Sequence, residues 1–134
     1  MASGTFGTAI NCIDGRAQRP VADWVLMNCH VDYVDMVTVP GADHVLGAGP
    51  ADRIERLRED VTLSVQAHHS QVIAIAGHHG CAAFDVAREE HLAAIRAAAR
   101  VVRGWGLPAR VVGLWVNDWW AAELVYDAAD EPNS

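Results

Sequence analysis

Two short stretches hold the residue types that do chemistry: Cys12-Ile13-Asp14-Gly15-Arg16 near the start and Gly77-His78-His79-Gly80-Cys81 in the middle. Each follows an apolar run of strand character. Two thiolates and one imidazole make a zinc ligand set with one coordination position left open, and that open position separates a catalytic zinc from a structural one. Two thiolates also cancel the charge of the ion, so a bound water is less acidified than it would be beside three neutral imidazoles. A neighbouring group must then help to make and hold hydroxide. Asp14 lies close enough after Cys12 to reach the open position or its water, and Arg16 can hold the Asp14 carboxylate by a bidentate pair. The pairing keeps Asp14 ionised, so it accepts the hydrogen of the hydroxide and aims the oxygen lone pair at an electrophilic carbon. Gly15 permits the tight turn between the two. The chemistry implied is that of a zinc hydrolase or hydratase acting on a very small substrate.

No single member of this set is specific. A lone Cys12 at an Ala/Val-rich strand end is ordinary core packing. His-x-x-Cys alone is a weak signal, and Asp-x-Arg alone is a loop salt bridge. The specificity lies in all five residues falling at two strand ends in one order.

The elements that must position them follow from periodicity and punctuation. Strand character is expected over Phe6–Asn11, Tyr33–Val39, Gln71–Ala76 and Ala109–Val116. The Gln71–Ala76 run is apolar along most of its length, as expected for a strand buried on both faces. Helices are expected over Val21–Cys29, with Pro20 in the first turn, and from Pro50 to about His69. In the second of these Ile54, Leu57, Val61 and Val65 recur at three- and four-residue steps. Asp85 is expected to cap a third helix running to about Arg103, with Leu92, Ile95, Ala99 and Val102 near one face. Gly47 to Gly49 reads as a flexible turn, the segment from Asp118 as helix or strand, and 127–134 as a frayed tail. Strands alternating with helices imply an α/β fold: a mainly parallel central sheet of four to five strands flanked by helices. Ligands bind such sheets at the carboxyl ends of the strands, where the strand order reverses. If the first and third strands are neighbours, Cys12, His78 and Cys81 meet at that crevice.

At 134 residues the chain reads as one domain, 1–134. Seventeen acids against ten Lys and Arg give a net charge of −7, which argues against nucleic acid as a partner. No 18-residue apolar span and no signal core are present, so the expectation is a soluble cytoplasmic protein without a membrane segment. Three cysteines, Cys12, Cys29 and Cys81, make a disulfide scaffold improbable and metal ligation or catalysis the better use.

The constellation resembles the β-class carbonic anhydrases. That family carries Cys-x-Asp-x-Arg after its first strand and His-x-x-Cys after a later parallel strand, and Gly77-His78-His79-Gly80-Cys81-Ala82-Ala83 is similar to its second motif. The resemblance spans roughly Thr5 to Val116. It implies Zn2+ held by Cys12, His78 and Cys81, and an Asp14–Arg16 dyad. It further implies reversible hydration of carbon dioxide to bicarbonate by zinc-bound hydroxide, and a homodimer or higher homo-oligomer. In some members the Asp swings onto zinc and closes the site, a movement open to Asp14. Related enzymes of the same fold hydrolyse carbonyl sulfide or carbon disulfide with the same ligands, so those substrates are the alternative. A non-catalytic zinc module serving assembly is a third reading. Three features depart from the family pattern. The chain is shorter than family members generally are and is expected to be without an N-terminal helical arm, Val39-Pro40-Gly41-Ala42 stands in place of an Arg-containing stretch, and Ala82 replaces a Gly.

Other residues invite weaker readings. His79 is expected to face solvent or a partner chain, with proton shuttling as the alternative. His68 and His69 end a helix, where a cationic His suits the dipole. Cys29-His30 lacks further ligands for a second metal. Asp43-His44 is placed on a loop at a strand's carboxyl end, where it could line the crevice. Trp105, Trp115, Trp119 and Trp120 divide between core and a candidate dimer surface.

Overall fold

Runs such as Val72-Ile73-Ala74-Ile75-Ala76 offer no polar side to water and form strands covered on both faces. The computed structural model describes residues 4–131. Its elements run β1 (Phe6–Asn11), α1 (Gly15–Asn28), β2 (Tyr33–Thr38), α2 (Ala42–Ala48), α3 (Ala51–His68), β3 (Val72–His78), α4 (Arg88–Arg103), β4 (Arg110–Val116) and β5 (Ala122–Asp127), with a 3-10 turn at Ala128–Asp130. The five strands form one sheet in the order β2-β1-β3-β4-β5. The first four are parallel, and β5 runs antiparallel to β4. The α/β architecture expected from the sequence is therefore present, with β5 as the antiparallel edge.

Alternation along the strands sends side chains to two cores. Ile10, Ile73 and Ile75 face α2, α3 and α4, where Leu46, Leu57, Val61, Ala98 and Val102 cover them. Ala9, Ala74, Ala76, Val112 and Leu114 face the other way, under Val21 and Val25 of α1. Each fully buried Val, Leu or Ile contributes about 1.5–3 kcal/mol, so the helices are held by these stripes rather than by propensity. Among the described residues no helix is long and apolar enough to cross a membrane.

Several expected boundaries move. α1 begins at Gly15, well before Val21, because Asp14 caps it: its carboxylate accepts a hydrogen bond from the Arg16 backbone N–H at 3.0 Å. Pro20 consequently lies inside the helix, where it forgoes one backbone hydrogen bond. Asp43 and His44 belong to the short helix α2 rather than to a loop, and Gly47 lies within that helix too. α4 starts at Arg88 with Ala87, not Asp85, at its cap, and Glu89 and Glu90 meet the positive end of its dipole instead. β3 extends through His78.

The tail is tied down rather than frayed over residues 127–131. Asp127 pairs with Arg110, Arg103 Nη1 donates to Glu131 at 2.6 Å, and the Tyr126 hydroxyl donates to the same carboxylate at 2.9 Å. Residues 132–134 lie outside the described residues.

The Arg110 guanidinium holds the Asp127 carboxyl below its ordinary 3.8. A carboxyl depressed in the folded state adds stability that is complete well above its unfolded value and fades as pH falls through the folded one. Arg110→Gln is expected to destabilise the chain by about 1 kcal/mol or less at pH 7, since half of the pair is exposed. The gap from the native chain should narrow below about pH 4. Chemical denaturation at both pH values checks this, and a gap of constant size would remove the assigned pairing.

Candidate metal centre

β1 and β3 are direct neighbours, in register at Thr8↔Ile73, Ala9↔Ala74 and Ile10↔Ile75. From β1 the chain crosses to β2 on one side, while β4 lies beyond β3 on the other. The order reverses between β1 and β3, so the connections from these two strands leave in opposite directions at their carboxyl ends. Cys12 leaves β1 there, and His78 and Cys81 leave β3. Their ligand atoms all lie within 4.8 Å of one another, and all three residues are buried.

Each is aimed by its own local structure. The Cys12 backbone N–H donates to Asn11 Oδ1 at 2.8 Å, while Asn11 Nδ2 donates to the Ala17 carbonyl at 3.2 Å. Asn11, fully buried, thus ties the strand end, Cys12 and the first turn of α1 together. His78 Nδ1 lies 2.7 Å from the His79 carbonyl oxygen. Since a carbonyl only accepts, Nδ1 carries the proton and Nε2 presents a lone pair to the cluster. Gly80, at φ +68, makes the turn that brings Cys81 back toward His78. Burial pushes the Cys81 thiol up, against the pull of the backbone N–H groups of Phe84 and Ala83 directed at its sulfur.

The donor set fits a thiophilic cation such as zinc. His78 Nε2 is buried and has no hydrogen-bond partner among the described residues, a costly state for a polar atom unless something else takes its lone pair. Two adjacent buried thiols, each better stabilised as a thiolate by a cation, supply the remaining donors.

Asp14 stands beside this group, its Oδ2 4.0 Å from His78 Nε2. Arg16 donates through Nε to Oδ1 at 3.1 Å and through Nη2 to Oδ2 at 2.7 Å, the two-pronged pair expected from the sequence. Hydrogen bonding from Arg16 is the main reason the Asp14 carboxyl is lowered from 3.8 to about 2.

Other residues fall elsewhere. Cys29 ends α1, and His30 follows it in the left-handed region. His68 leaves α3 and pairs with Asp35 at 2.6 Å. Trp115 is buried, Trp105 packs against the larger core, and Trp119 is exposed. Trp120 lies at the site, its ring 6.2 Å from that of His78. Asp43 and His91 form a buried pair at 2.7 Å behind the centre, with His91 Nε2 unpartnered. The pair joins residues of two helices far apart in sequence, so periodicity gave no sign of it.

Asp43 also explains Gly77. A Cβ at that position would lie 2.5 Å from Asp43 Oδ2 and 3.1 Å from Ile95 Cδ1. Neither can yield, because both are fully packed. Gly77→Ala should therefore push the end of β3 outward, displace His78, and cost about 1–3 kcal/mol. Metal content per chain is expected to fall well below that of the native protein. Full metal loading in the variant would show that β3 tolerates the shift.

An α/β sheet with two cysteines and a histidine at its switch point, and an Asp–Arg pair beside them, defines the β-carbonic anhydrase class. A family model described as "Putative carbonic anhydrase" matches residues 2–126. The fold is similar to β-carbonic anhydrase isoform I of the protozoan Trichomonas vaginalis, at 16% identity and a TM-score of 0.59, over 90% of this chain and 82% of that one. It is also similar to a structure from work on two tetrameric β-carbonic anhydrases of the filamentous ascomycete Sordaria macrospora. There the identity is 13% and the TM-score 0.51, over 92% of this chain and 81% of that one. No curated protein matches the sequence. The chain belongs to the β-carbonic anhydrase family.

Proposed function

We propose that this protein is a zinc-dependent carbonic anhydrase that catalyses the reversible hydration of carbon dioxide to bicarbonate. One observation carries the reading: the unpartnered Nε2 of His78 faces two buried thiols, with an ionised carboxylate 4.0 Å away. Cys12, His78 and Cys81 are the ligands in this reading. Zinc held there would lower the pKa of a water, less strongly with two thiolates than with three imidazoles, and would supply a nucleophile with help from a neighbouring group. Asp14, held ionised by Arg16, accepts a hydrogen bond and donates none. A hydroxyl hydrogen-bonded to Asp14 would therefore keep its hydrogen on that side and leave its lone pair free for an electrophilic carbon. Arg16 engages both Asp14 oxygens, so the carboxylate is fixed before substrate arrives. The three cysteines form no disulfide, which suits a reducing cytoplasmic compartment.

We also propose a homodimer or higher assembly. Ile13, 57% exposed between Cys12 and Asp14, and Trp119, 85% exposed, are apolar side chains that a second copy would cover. Sedimentation at micromolar concentration should give a species larger than 14.4 kDa; a monomer would remove this part.

Stopped-flow carbon dioxide hydration by zinc-quantified protein tests the activity. Asp14→Asn is expected to lower kcat by about 100-fold or more while zinc stays bound, and Cys12→Ser to lose metal and activity together. Full activity in Asp14→Asn would sink the role given to the dyad. Zinc-loaded protein that hydrates carbon dioxide poorly but releases hydrogen sulfide from carbonyl sulfide or carbon disulfide would reassign the substrate. Absence of turnover with all three would leave a structural zinc.

A further inference from the structure

Trp120 occupies the left-handed region, at φ +58. Bulky residues rarely adopt it, and the conformation costs free energy that glycine would not incur. The backbone of the turn between β4 and β5 makes no demand for tryptophan, although the indole is partly buried against the core under α1. Its hydrogen bonds come from the backbone and from Asn117, whose Oδ1 accepts from the N–H groups of Trp119 and Ala121 at 2.9 and 3.2 Å. Strain of this kind persists where the surroundings over-determine it, so the side chain is where a reason should be sought.

The indole lies over the Arg16 guanidinium, 4.4 Å from ring centroid to Cζ. It is also 6.2 Å from the His78 ring and 6.3 Å from the His79 ring. A guanidinium can be held in its plane by hydrogen bonds and across its plane by an aromatic face. Asp14 supplies the first and Trp120 the second. The second is needed because the Arg16 side chain is 60% exposed. With its edge alone engaged, an exposed arginine remains free to tilt into solvent and to draw the Asp14 carboxylate with it.

We propose that Trp120 is a positioning residue that clamps Arg16 from its open face and so keeps Asp14 turned toward Cys12, His78 and Cys81. The proposal rests on the role given above to the Asp14–Arg16 dyad. It assigns the β4–β5 turn, remote in sequence from both motifs, a part in the reaction.

Trp120→Gly and Trp120→Phe in the zinc-loaded full chain separate this from simple packing. Glycine suits the left-handed position, so Trp120→Gly should keep its fold, with Tm lowered by the indole's lost packing against the core under α1. Its Arg16 Nε–H resonance should lose the ring-current shift and slow exchange of the native protein. Its kcat for hydration should fall about tenfold, the range of a partly desolvated cation–π contact, with KM little changed. Trp120→Phe should recover part of both. An unchanged Arg16 resonance in Trp120→Gly would overturn the clamp, and a lost resonance with unchanged kcat would overturn its link to Asp14. If the native protein lacks hydration activity, the functional reading fails on its own, and the Arg16 resonance still upholds or overturns the clamp.

Discussion

The parallel pairing of β1 with β3 is the contact on which the rest depends. It sets two carboxyl ends side by side, with the crossovers leaving them in opposite directions. Cys12 comes from one of those ends and the His78–Cys81 turn from the other. Neither motif has a metal-binding geometry alone. A slip of one residue in this register would turn Ile73 and Ile75 toward α1 and break both cores. The hydrophobic pattern that fixes the sheet therefore also fixes how far Cys12 lies from His78 and Cys81.

The electrostatics around the centre are arranged in layers that agree with one another. Two thiols and an imidazole lone pair call for a cation. The carboxylate nearest to them is kept charged by an arginine that in turn lies under an indole ring. Behind the centre, His91 Nδ1 pairs with Asp43 where a lone buried carboxylate would be costly. Their packing leaves room at position 77 for a hydrogen atom and nothing larger.

What the sequence made legible was local. Cys12, Asp14 and Arg16 lie within one turn, as do His78 and Cys81, and the apolar runs before them are strands whatever their neighbours. The helical stripes of α3 and α4 were equally plain. What escaped was either short or long-range. α2 spans seven residues, too few for a period to declare itself. The start of α1 was hidden because the residue that caps it had already been given a chemical role. Asn11 looked like the last residue of a strand, and only its contacts make it a brace. Asp43 with His91, and Trp120 with Arg16, join positions that no spacing rule connects.

Asp14 holds two appointments at once. One carboxylate oxygen accepts the Arg16 backbone N–H that closes the end of α1, and the same group faces the metal ligands. A movement that carried the carboxylate away from the Arg16 backbone N–H would also release the first turn of α1. The position of Asp14 and the firmness of that helix end are therefore coupled. A change that loosens the helix end would free the carboxylate, and one that stiffens it would hold the carboxylate in place.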